Sequence, residues 1–487
     1  MEDKYILSLD IGTTTIRAFI YNSRTETIAK AVDHVILHYP EPGYVEIDPD
    51  ELWNSVVDVI NKALNSAKLN PRQITAMGIS TQRSTFTTWS RVTGRPFHRF
   101  ITWKDLRADK LVKYWNNSYL WKVGAYVLYM VSRSKRFKAG SVFKFSNNQL
   151  ANTGNNKRWH SLSLRNFIRL ILIALIPDKK IHMTDVSSAS ATGFFDPFTM
   201  QWAGWAMSIF GISFDMLPTI VDTAGDHFTC TAKEIWGHAI PIKSSDQTAS
   251  MWGSCCFDVG DVKLTMGTGT FFNINTGSSP HASVSGLYPV VGWRLGQELV
   301  FSAEGANNDT ASLFEKPEDT ADIAMSVPDS DGVFFIPAFS GLGPPYNDCT
   351  AASGFIGMKP STTKSHLVRA VLEAIAFRTA QLYDCVRKET NYTFNTIRMD
   401  GGVSNNDFVA QLVADLTGLK VERPVEVEMS SLGCAHLVGL TLGKNLFIRS
   451  FICLFWTASN HNRNSHPLRL ARASVTQRTR NPGLYIL

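Results

Sequence analysis

No apolar run of this 487-residue sequence approaches the roughly 20 residues that a helix needs to cross a bilayer. The longest run, residues 170–176, ends at Pro177 and is flanked by Arg169 and Lys179. The first residues, Met1-Glu-Asp-Lys4, also lack the apolar stretch of a secretory signal. The sequence therefore predicts a chain with no transmembrane segment and a cytoplasmic location.

Cysteines are few and show no pattern. The seven cysteines are odd in number, include the adjacent pair Cys255-Cys256 and contain no C-x-x-C spacing. This usage disfavours both a disulfide framework and a zinc site, and it fits reduced thiols in the cytosol.

Acidic residues are nearly absent from two segments, and these segments account for the net charge of +6. Residues 133–183 hold eleven Lys and Arg against the single acid Asp178, and residues 444–487 hold seven against none. The rest of the chain is therefore acidic, as in many cytosolic enzymes. Arms that contact RNA or a membrane would also be basic, but neither segment contains a recognisable module, so solvated or poorly ordered sequence is the simpler interpretation.

The most informative segment is Asp10-Ile-Gly-Thr-Thr-Thr-Ile-Arg17, which lies between two short apolar runs. This order predicts a β-hairpin whose tip gathers hydroxyls and backbone N–H groups. Such a turn can wrap a phosphate, because Gly12 lets the backbone approach and three hydroxyls can donate, those of Thr13, Thr14 and Thr15. Asp10 is placed to hold Mg²⁺, and Arg17 to reach a transferring phosphoryl group. Taken alone, the segment fits an ordinary polar hairpin equally well.

A second Gly/Thr turn, Leu264-Thr-Met-Gly-Thr-Gly-Thr270, precedes another apolar run. Two strand–turn–strand phosphate loops about half a chain apart are typical of the actin-like ATPase fold, in which two related domains clamp one nucleotide. Neither loop matches a Walker A motif or opens a helix, so P-loop and Rossmann folds are disfavoured.

Periodicity outlines the elements around these loops. Apolar spacing predicts helices from Asp48 to about residue 64, at 366–384 and at 407–416, and strands at 74–80 and 395–399. We expect a first domain over residues 1–253, a second over 254–443 and a basic tail over 444–487.

Four further motifs carry a family resemblance. They are Gln82-Arg83, Trp103-Lys-Asp105-Leu-Arg107, Phe339-Ser-Gly-Leu-Gly-Pro-Pro-Tyr346 and His366-Leu-Val-Arg-Ala-Val-Leu-Glu373. Together with the two loops, they resemble the FGGY carbohydrate kinase family, and the second motif resembles its glycerol kinase branch. The resemblance covers most of residues 5–130 and 184–443.

This resemblance implies a two-domain α/β fold of the actin-like, or ribonuclease H-like, class with an interdomain catalytic cleft. It implies ATP-dependent phosphorylation of glycerol, or a related small polyol, to glycerol 3-phosphate, with Mg²⁺ as cofactor. The expected partner is a small-molecule polyol and not a nucleic acid, and homo-oligomer formation is left open.

The resemblance also implies residue roles. Asp246 carries over as the base that accepts the hydroxyl proton and as a metal ligand with Asp10, and Arg17 assists catalysis. The substrate-binding residues are Arg83, Ser84, Trp103, Asp246 and Gln247. The nucleotide-binding residues are Thr13, Thr14, Thr15, Arg17, Gly267, Thr268, Gly402 and Asn406.

The sequence departs from the family pattern in several places. Ser84 stands where the family has Glu, and residues 133–183 and 444–487 do not follow the family. We interpret these two segments as non-homologous sequence, for instance translated intron. A catalytically impaired nucleotide-binding protein is therefore an alternative function, and an actin- or Hsp70-like switch is a weaker one.

Overall fold

The computed structural model describes residues 4–90, 93–133, 163–166, 182–245, 248–267, 269–307, 319–339, 341–348, 350–424 and 428–443. Within these ranges, no helix is long and apolar enough to cross a membrane. The predicted divergent segments fall mostly outside them. The exceptions are residues 133, 182 and 183 at the ends of the first segment, and residues 163–166, which form a strand.

The described helices are α1 Pro49–Ala67, α2 Asp109–Asn116, α3 Tyr119–Ser132, α4 Val186–Ser190, α5 Gly204–Phe210, α6 Lys233–Trp236, α7 Ala249–Gly253, α8 Thr320–Met325, α9 Lys364–Glu389, α10 Asp407–Thr417 and α11 Met429–Thr441. Three of the described helices, α1, α9 and α10, lie where the periodicity predicts them.

The strands are short. They are β1 Tyr5–Ile11, β2 Thr15–Tyr21, β3 Thr27–His34, β4 Glu46–Ile47, β5 Ile74–Thr81, β6 Phe86–Trp89, β7 Phe100–Ile101, β8 Ser163–Asn166, β9 Met183–Asp185, β10 Phe195–Asp196, β11 Gln201–Trp202, β12 Thr219–Val221, β13 Ile242–Ser245, β14 Val262–Met266, β15 Thr270–Gly277, β16 Tyr288–Leu295, β17 Glu298–Asn307, β18 Phe334–Ile336, β19 Gly354–Ile356, β20 Thr396–Asp400 and β21 Lys420–Glu422.

Two compact units divide the chain. The first comprises the described residues within 4–259, 273–304 and 428–443, and the second comprises those within 260–272 and 305–424. The first unit is therefore completed by α11, which comes from near the end of the described sequence. The predicted boundaries at residues 253 and 443 stay predictions.

A five-stranded mixed sheet organises the first unit, in the order β13-β5-β1-β2-β3. The predicted hairpin forms its centre, with β1 and β2 antiparallel, while β5 runs parallel to both β1 and β13. A second sheet has the order β4-β7-β6-β8, so that residues 163–166 pair with β6. The carboxyl ends of β1, β5 and β13 thus meet at one edge, where functional residues collect in open α/β sheets.

Helix α1 covers one face of the five-stranded sheet. Asp48 caps it by accepting from the backbone N–H groups of Asp50 and Glu51, as its position before Pro49 predicts. The apolar face of α1 packs with the inward residues of the strands in one cluster. Burial of this face supplies most of what stabilises the helix, since helices in proteins are stabilised mainly by packing of an apolar face.

Helix α11 packs on the other face of the sheet, where it approaches its neighbours closely at three glycines. A Cβ at Gly433 would lie 1.7 Å from the carbonyl oxygen of Ala249, and one at Gly253 would lie 2.2 Å from that of Met429. A Cβ at Gly78 of β5 would lie 3.0 Å from the carbonyl oxygen of Cys434. Glycine at these three positions therefore lets α7, α11 and β5 approach at backbone contact.

Within the second unit, β14, β20 and β21 form a parallel ladder in which Thr265 lies opposite Asp400. Helix α9 is largely buried and packs with α10, β18 and α8. Arg378 of α9 donates to the carbonyl oxygens of Gly343 and Pro344, at 3.3 and 2.7 Å, which ties the family-like Gly-Leu-Gly-Pro-Pro loop to the helix.

We expect Gly433→Ala to destabilise the protein by about 3 kcal/mol, because the added methyl group must push α7 away from α11. Gly439→Ala is the matched control on the same helix: its Cβ would be 3.9 Å from Ile6 and in ordinary contact. The control should be neutral or slightly stabilising, since alanine favours helix. Urea denaturation of both variants tests this, and equal midpoints would contradict the close-approach interpretation.

Burial also controls a titrating group in α11. His436 is 3% exposed, and among the described residues its Nδ1 has no hydrogen-bond partner. Burial lowers the pKa of His436 to about 3. Because the unfolded chain has a histidine pKa of about 6.5, it binds a proton that the folded protein excludes.

The stability contributed by neutral His436 should therefore be complete above pH of about 6.5 and decline as the pH falls toward 3, by about 1.4 kcal/mol per pH unit. We expect His436→Leu to flatten the dependence of the free energy of unfolding on pH in this window. The exposed His34, changed to Gln, is the control and should leave the dependence unaltered. Equal pH profiles for the two variants would show that His436 binds a proton as readily in the folded protein as in the unfolded chain.

Candidate active site

The β1–β2 hairpin holds a tight polar tip. A Cβ at Gly12 would lie 3.0 Å from the carbonyl oxygen of Thr15, whose oxygen accepts from the Gly12 N–H at 2.9 Å. Thr13 is buried and Thr14 is exposed, with its carbonyl oxygen accepting from the N–H of Val35. The tip therefore has the local geometry that the sequence predicts for a phosphate-binding turn.

Asp10 and Arg17 face each other across the hairpin. They are register partners, and Arg17 Nη1 lies 3.3 Å from Asp10 Oδ2. Arg17 Nε also lies 3.2 Å from a carboxylate oxygen of Glu428, the residue before α11. The guanidinium is thus held between two carboxylates at the carboxyl end of β1.

The strand register places the next candidates beside this hairpin. Ile11 of β1 lies opposite Thr81 of β5, and Ser245 of β13 lies opposite Ile79. Gln82 continues the ladder by donating its N–H to the carbonyl oxygen of Ile11, at 2.8 Å. Arg83 and Ser84 follow at the same sheet edge. Two predicted residues after β13, Asp246 and Gln247, lie outside the described residues.

Trp103 connects the predicted substrate residues to the phosphate turn. Its indole Nε1 donates to Thr13 Oγ1 at 2.6 Å, and its backbone N–H donates to Thr85 Oγ1 at 3.3 Å. The Thr85 hydroxyl in turn donates to Gln82 Oε1 at 3.2 Å. The tryptophan edge is therefore fixed, and its position is coupled to the hairpin tip.

The loop that carries Trp103 is anchored by Asp105, which is fully buried. Its carboxylate accepts from the N–H of Val45 at 2.8 Å and from Arg107 Nε at 2.7 Å. Burial opposes the charge of Arg107, but hydrogen bonds to Asp105 and Glu46 outweigh it and raise the pKa of the guanidinium. The predicted Trp-Lys-Asp-Leu-Arg motif thus stabilises its own loop.

Arg83 contacts a carboxylate that sequence reasoning left without a role. Its Nη1 forms an ion pair with Glu304 Oε2, and the two side chains are 14% and 9% exposed. The same Glu304 oxygen accepts from Asn273 Nδ2 at 2.8 Å. A nearly buried, charge-assisted pair of this kind fixes the plane of the guanidinium.

Ser84 has a different environment. Its backbone φ is +57°, which is uncommon for a residue other than glycine, and its hydroxyl donates to the carbonyl oxygen of Ala191 at 3.1 Å. Its side chain is therefore engaged with the backbone directly after α4.

In the second unit, the predicted nucleotide residues lie at the ends of β14 and β20. A Cβ at Gly401 would lie 2.6 Å from the carbonyl oxygen of Met266 and 3.1 Å from the Gly267 nitrogen. Gly267 and Gly402, by contrast, have no atom within 4 Å of their Cβ positions. The two turns therefore touch at Gly401 and present open backbone on either side. Thr268 lies outside the described residues.

Asn406 acts first as a helix cap. It is fully buried, its side-chain oxygen accepts from the Val409 N–H at 3.1 Å, and its Nδ2 donates to Thr320 Oγ1 at 3.1 Å. These contacts position α10 and join it to α8. Beside them, the nearly buried Lys263 lies 3.6 Å from Asp400 at the end of β20.

Sequence reasoning missed two acidic residues that pair with the predicted arginines, Glu304 and Glu428. The signal for Glu304 was its place in Ala303-Glu-Gly-Ala306, a polar residue at the end of an apolar strand. Glu428 follows the proline-containing stretch near Pro424 and precedes an apolar helix. In both cases, the partner is more than 200 residues away, so local pattern could not identify the pair.

The described residues of the site offer few ligands to a cation that prefers oxygen, such as Mg²⁺. In the described part of the chain, no group of three or more His, Cys, Asp or Glu side chains is close enough to hold a metal ion. The side chain of Asp10 is 13% exposed at the strand end, and a carboxylate there suits Mg²⁺, which typically takes only one or two protein carboxylates together with substrate phosphates.

Comparison with known proteins decides the family. A model of the FGGY carbohydrate kinase N-terminal domain matches residues 5–253, and a model of the C-terminal domain matches residues 262–442. The chain belongs to the FGGY family of carbohydrate kinases. The predicted family is thereby confirmed.

Similar proteins include two called glycerol kinase 5. The Danio rerio protein is 46% identical over 465 residues, which are 91% of this chain and 88% of the relative. The Homo sapiens protein is 43% identical over 466 residues, which are 90% of this chain and 87% of the relative. The crystal structure of Plasmodium falciparum glycerol kinase with ADP has a TM-score of 0.79 at 26% identity, covering 93% of this chain and 92% of that one.

These comparisons confirm three predictions. This chain has a two-domain α/β fold of the actin-like ATPase class, and it is a kinase of the carbohydrate and polyol type. Membership in this kinase family implies that it uses ATP. Motifs such as Asp400-Gly-Gly-Val also indicated the animal proteins called glycerol kinase 5, and the relatives confirm that likeness.

Replacing Thr13, whose hydroxyl accepts the hydrogen bond of the Trp103 indole, tests the link between the phosphate turn and the predicted substrate residues. We expect Thr13→Val to lower the free energy of unfolding by about 1 kcal/mol, because a partly buried N–H then lacks its partner. Thr13→Ser keeps the hydroxyl and is the control. Guanidinium denaturation followed by tryptophan fluorescence measures both, and identical midpoints for Val and Ser would refute the importance of the hydrogen bond.

Proposed function

We propose that this kinase transfers the γ-phosphoryl group of ATP to a primary hydroxyl of glycerol and forms glycerol 3-phosphate. The observation that carries the proposal is the chain of hydrogen bonds Gln82–Thr85–Trp103–Thr13. It ties residues suited to a polyol to a turn suited to a phosphate within one unit. The glycerol kinase relatives support the same substrate class.

The acceptor side of the mechanism uses Arg83 and Trp103. The guanidinium of Arg83, whose Nη1 pairs with Glu304, is the proposed hydrogen-bond donor to the oxygens of a polyol. The ring of Trp103 would offer an apolar wall to the carbon chain, and Lys104 Nζ lies over this ring, 5.5 Å from its centroid. Asp246, the next residue in the sequence after β13, is the proposed base for the attacking hydroxyl.

The donor side uses the two Gly/Thr turns. Thr13, Thr14, Thr15 and Arg17 would contact the phosphates from the hairpin, and Gly267, Thr268 and Gly402 from the turns of the second unit. Asn406, which caps α10, would help to position the residues of these second-unit turns. Asp10, with Asp246, would hold Mg²⁺, which neutralises phosphate charge when bound. Such transfer depends mainly on positioning and charge, so no covalent intermediate with the protein is required.

A cytoplasmic location is part of this proposal. The five described cysteines, Cys230, Cys255, Cys256, Cys385 and Cys434, are thiols. Thiols without disulfides are usual in reducing compartments.

The decisive experiment is glycerol-dependent ADP release by the purified chain with Mg-ATP, beside Asp246→Asn. We expect turnover that requires glycerol in the parent chain and a loss of at least about 100-fold in the variant, since general-base assistance contributes about that much. Asp215→Asn is the control, because Asp215 lies in a short turn near α5, outside the proposed site, and should retain activity.

Turnover with a different small polyol, and none with glycerol, would keep the kinase and change its substrate. Equal activity of the parent and Asp246→Asn would remove Asp246 from the mechanism. If ATP binds but no polyol is phosphorylated, the catalytically impaired nucleotide-binding protein becomes the preferred function.

A further inference from the structure

The turn after β20, residues 401–406, carries an inference about nucleotide binding, and this inference rests on the proposed function. The proposed nucleotide residues Gly402 and Asn406 lie in this turn. A turn binds a ligand tightly when its backbone is already held in the bound conformation. One of the contacts that hold this turn comes from a residue so far without a role, Arg423.

Strand pairing brings Arg423 to the turn. β21 runs parallel to β20, with Glu422 opposite Arg398, so the two strands end at the same edge of the sheet. Arg423 is the first residue after β21, and the turn begins at Gly401, directly after β20. The topology therefore places a cation from one strand beside the turn that follows another.

Arg423 makes two contacts there. Its Nη1 donates to the carbonyl oxygen of Ser404 at 2.8 Å, and its Nη2 lies 2.7 Å from Asp407 Oδ1. Ser404 is fully buried, whereas the side chain of Asp407 is 55% exposed. Because water screens the ion pair with Asp407, the hydrogen bond to the buried carbonyl is the stronger restraint on the turn.

From Ser404 the restraint continues to both glycine turns of the second unit. The Ser404 hydroxyl donates to the carbonyl oxygen of Gly401 at 2.6 Å, and the Ser404 N–H donates to the same oxygen at 3.0 Å. Gly401 packs against the end of β14, since a Cβ there would lie 2.6 Å from the carbonyl oxygen of Met266. Arg423 is thus joined, through Ser404 and Gly401, to both turns that are proposed to contact the nucleotide.

Hydrogen bonds within the turn set its local shape. The Asn406 N–H donates to the carbonyl oxygen of Val403 at 3.0 Å, for example. Such a bond survives when the whole turn shifts, because its donor and acceptor move together. Arg423 ties the turn to a separate strand and therefore opposes that shift.

We propose that Arg423 is a positioning residue for nucleotide binding, which holds the turn 401–406 against β21 and keeps the backbone at Gly402 in place for ATP or ADP. Arg423 acts through Ser404 and need not touch the nucleotide. Without its donor, the nucleotide would have to order the turn as it binds, at a cost in affinity. The polyol should be unaffected, since its proposed residues Arg83 and Trp103 lie in the first unit.

Calorimetric titration with ADP in the presence of Mg²⁺ tests this without relying on turnover. We expect Arg423→Gln to bind ADP about tenfold more weakly than the parent chain, because a hydrogen bond from a charged donor is commonly worth about that factor. Arg423→Lys keeps the charge without the planar fork and should recover part of the loss. Lys420→Gln removes a cation that pairs with Glu422 on the same strand, and this control should bind ADP as the parent does.

Two variants of neighbouring residues separate the carbonyl contact from the ion pair. Asp407→Asn removes the charge of the exposed partner and should leave the ADP affinity within about twofold of the parent value. Ser404→Ala breaks the hydroxyl link to Gly401 and should weaken ADP binding about threefold. Because Arg423 and Ser404 act along one path, Arg423→Gln/Ser404→Ala should lose less affinity than the product of the two single losses.

The urea midpoint and the polyol affinity of each variant distinguish positioning from a loss of folding. A role limited to folding would lower the midpoint and weaken ADP and polyol alike, and that result would overturn the proposal. If Arg423→Gln does not fold, Arg423→Lys and Ser404→Ala carry the test, and parent-like ADP affinity in both would overturn it.

The outcomes separate this inference from the proposed function. Equal ADP affinity of the parent chain and Arg423→Gln would refute the role of Arg423 and leave the kinase intact. Weaker ADP binding by Arg423→Gln, in a chain whose parent phosphorylates a polyol other than glycerol, would support the role of Arg423 and refute glycerol as substrate. A parent chain that binds no ADP would refute both.

Discussion

The backbone contact among α7, α11 and β5 is the constraint on which the candidate site depends. Because Gly78, Gly253 and Gly433 lack side chains, these elements meet at backbone distance. Their contact fixes the position of the sheet edge at which β5 and β13 end. Arg83 lies in the loop that follows β5 at this edge, and Asp246 is the next residue in the sequence after β13. A shift of α11 would also move Glu428, which holds Arg17 from the other side of the hairpin.

Charge balance is the second theme of the structure. Arg17 lies between Asp10 and Glu428, Arg83 contacts Glu304, and Arg107 is held by Asp105 and Glu46. Each arginine has a defined plane because a carboxylate fixes it, and partial burial makes those contacts stronger than they would be in water. Of these three arginines, Arg17 is the one whose two carboxylate partners lie at a turn suited to phosphate. An incoming anion would therefore compete directly with Asp10 and Glu428 for its guanidinium.

Local signals predicted much of this arrangement. The hairpin, the start of α1, strands β5 and β20 and helix α9 each carry their own turn residues or periodicity, and the structure confirms them. The pairs Arg83–Glu304 and Arg17–Glu428, and the place of α11 in the first unit, depend on contacts between distant parts of the chain. No short window contains both partners, so sequence pattern could propose the arginines but not what holds them. Asp246, Gln247 and Thr268 lie outside the described residues, and their roles stay predictions.

The position of α11 has a consequence for how the protein is made. Its glycine contact with α7 joins residues about 180 positions apart, so at ribosomal speeds of about 5–20 residues per second the first unit waits roughly 10–40 s for its last helix. During that interval, the face of the sheet that α11 will cover, including Phe19 and Tyr21, is exposed. The nascent chain at this stage presents an apolar strand face to water, and residues 305–424 of the second unit must be synthesised before the first unit can close.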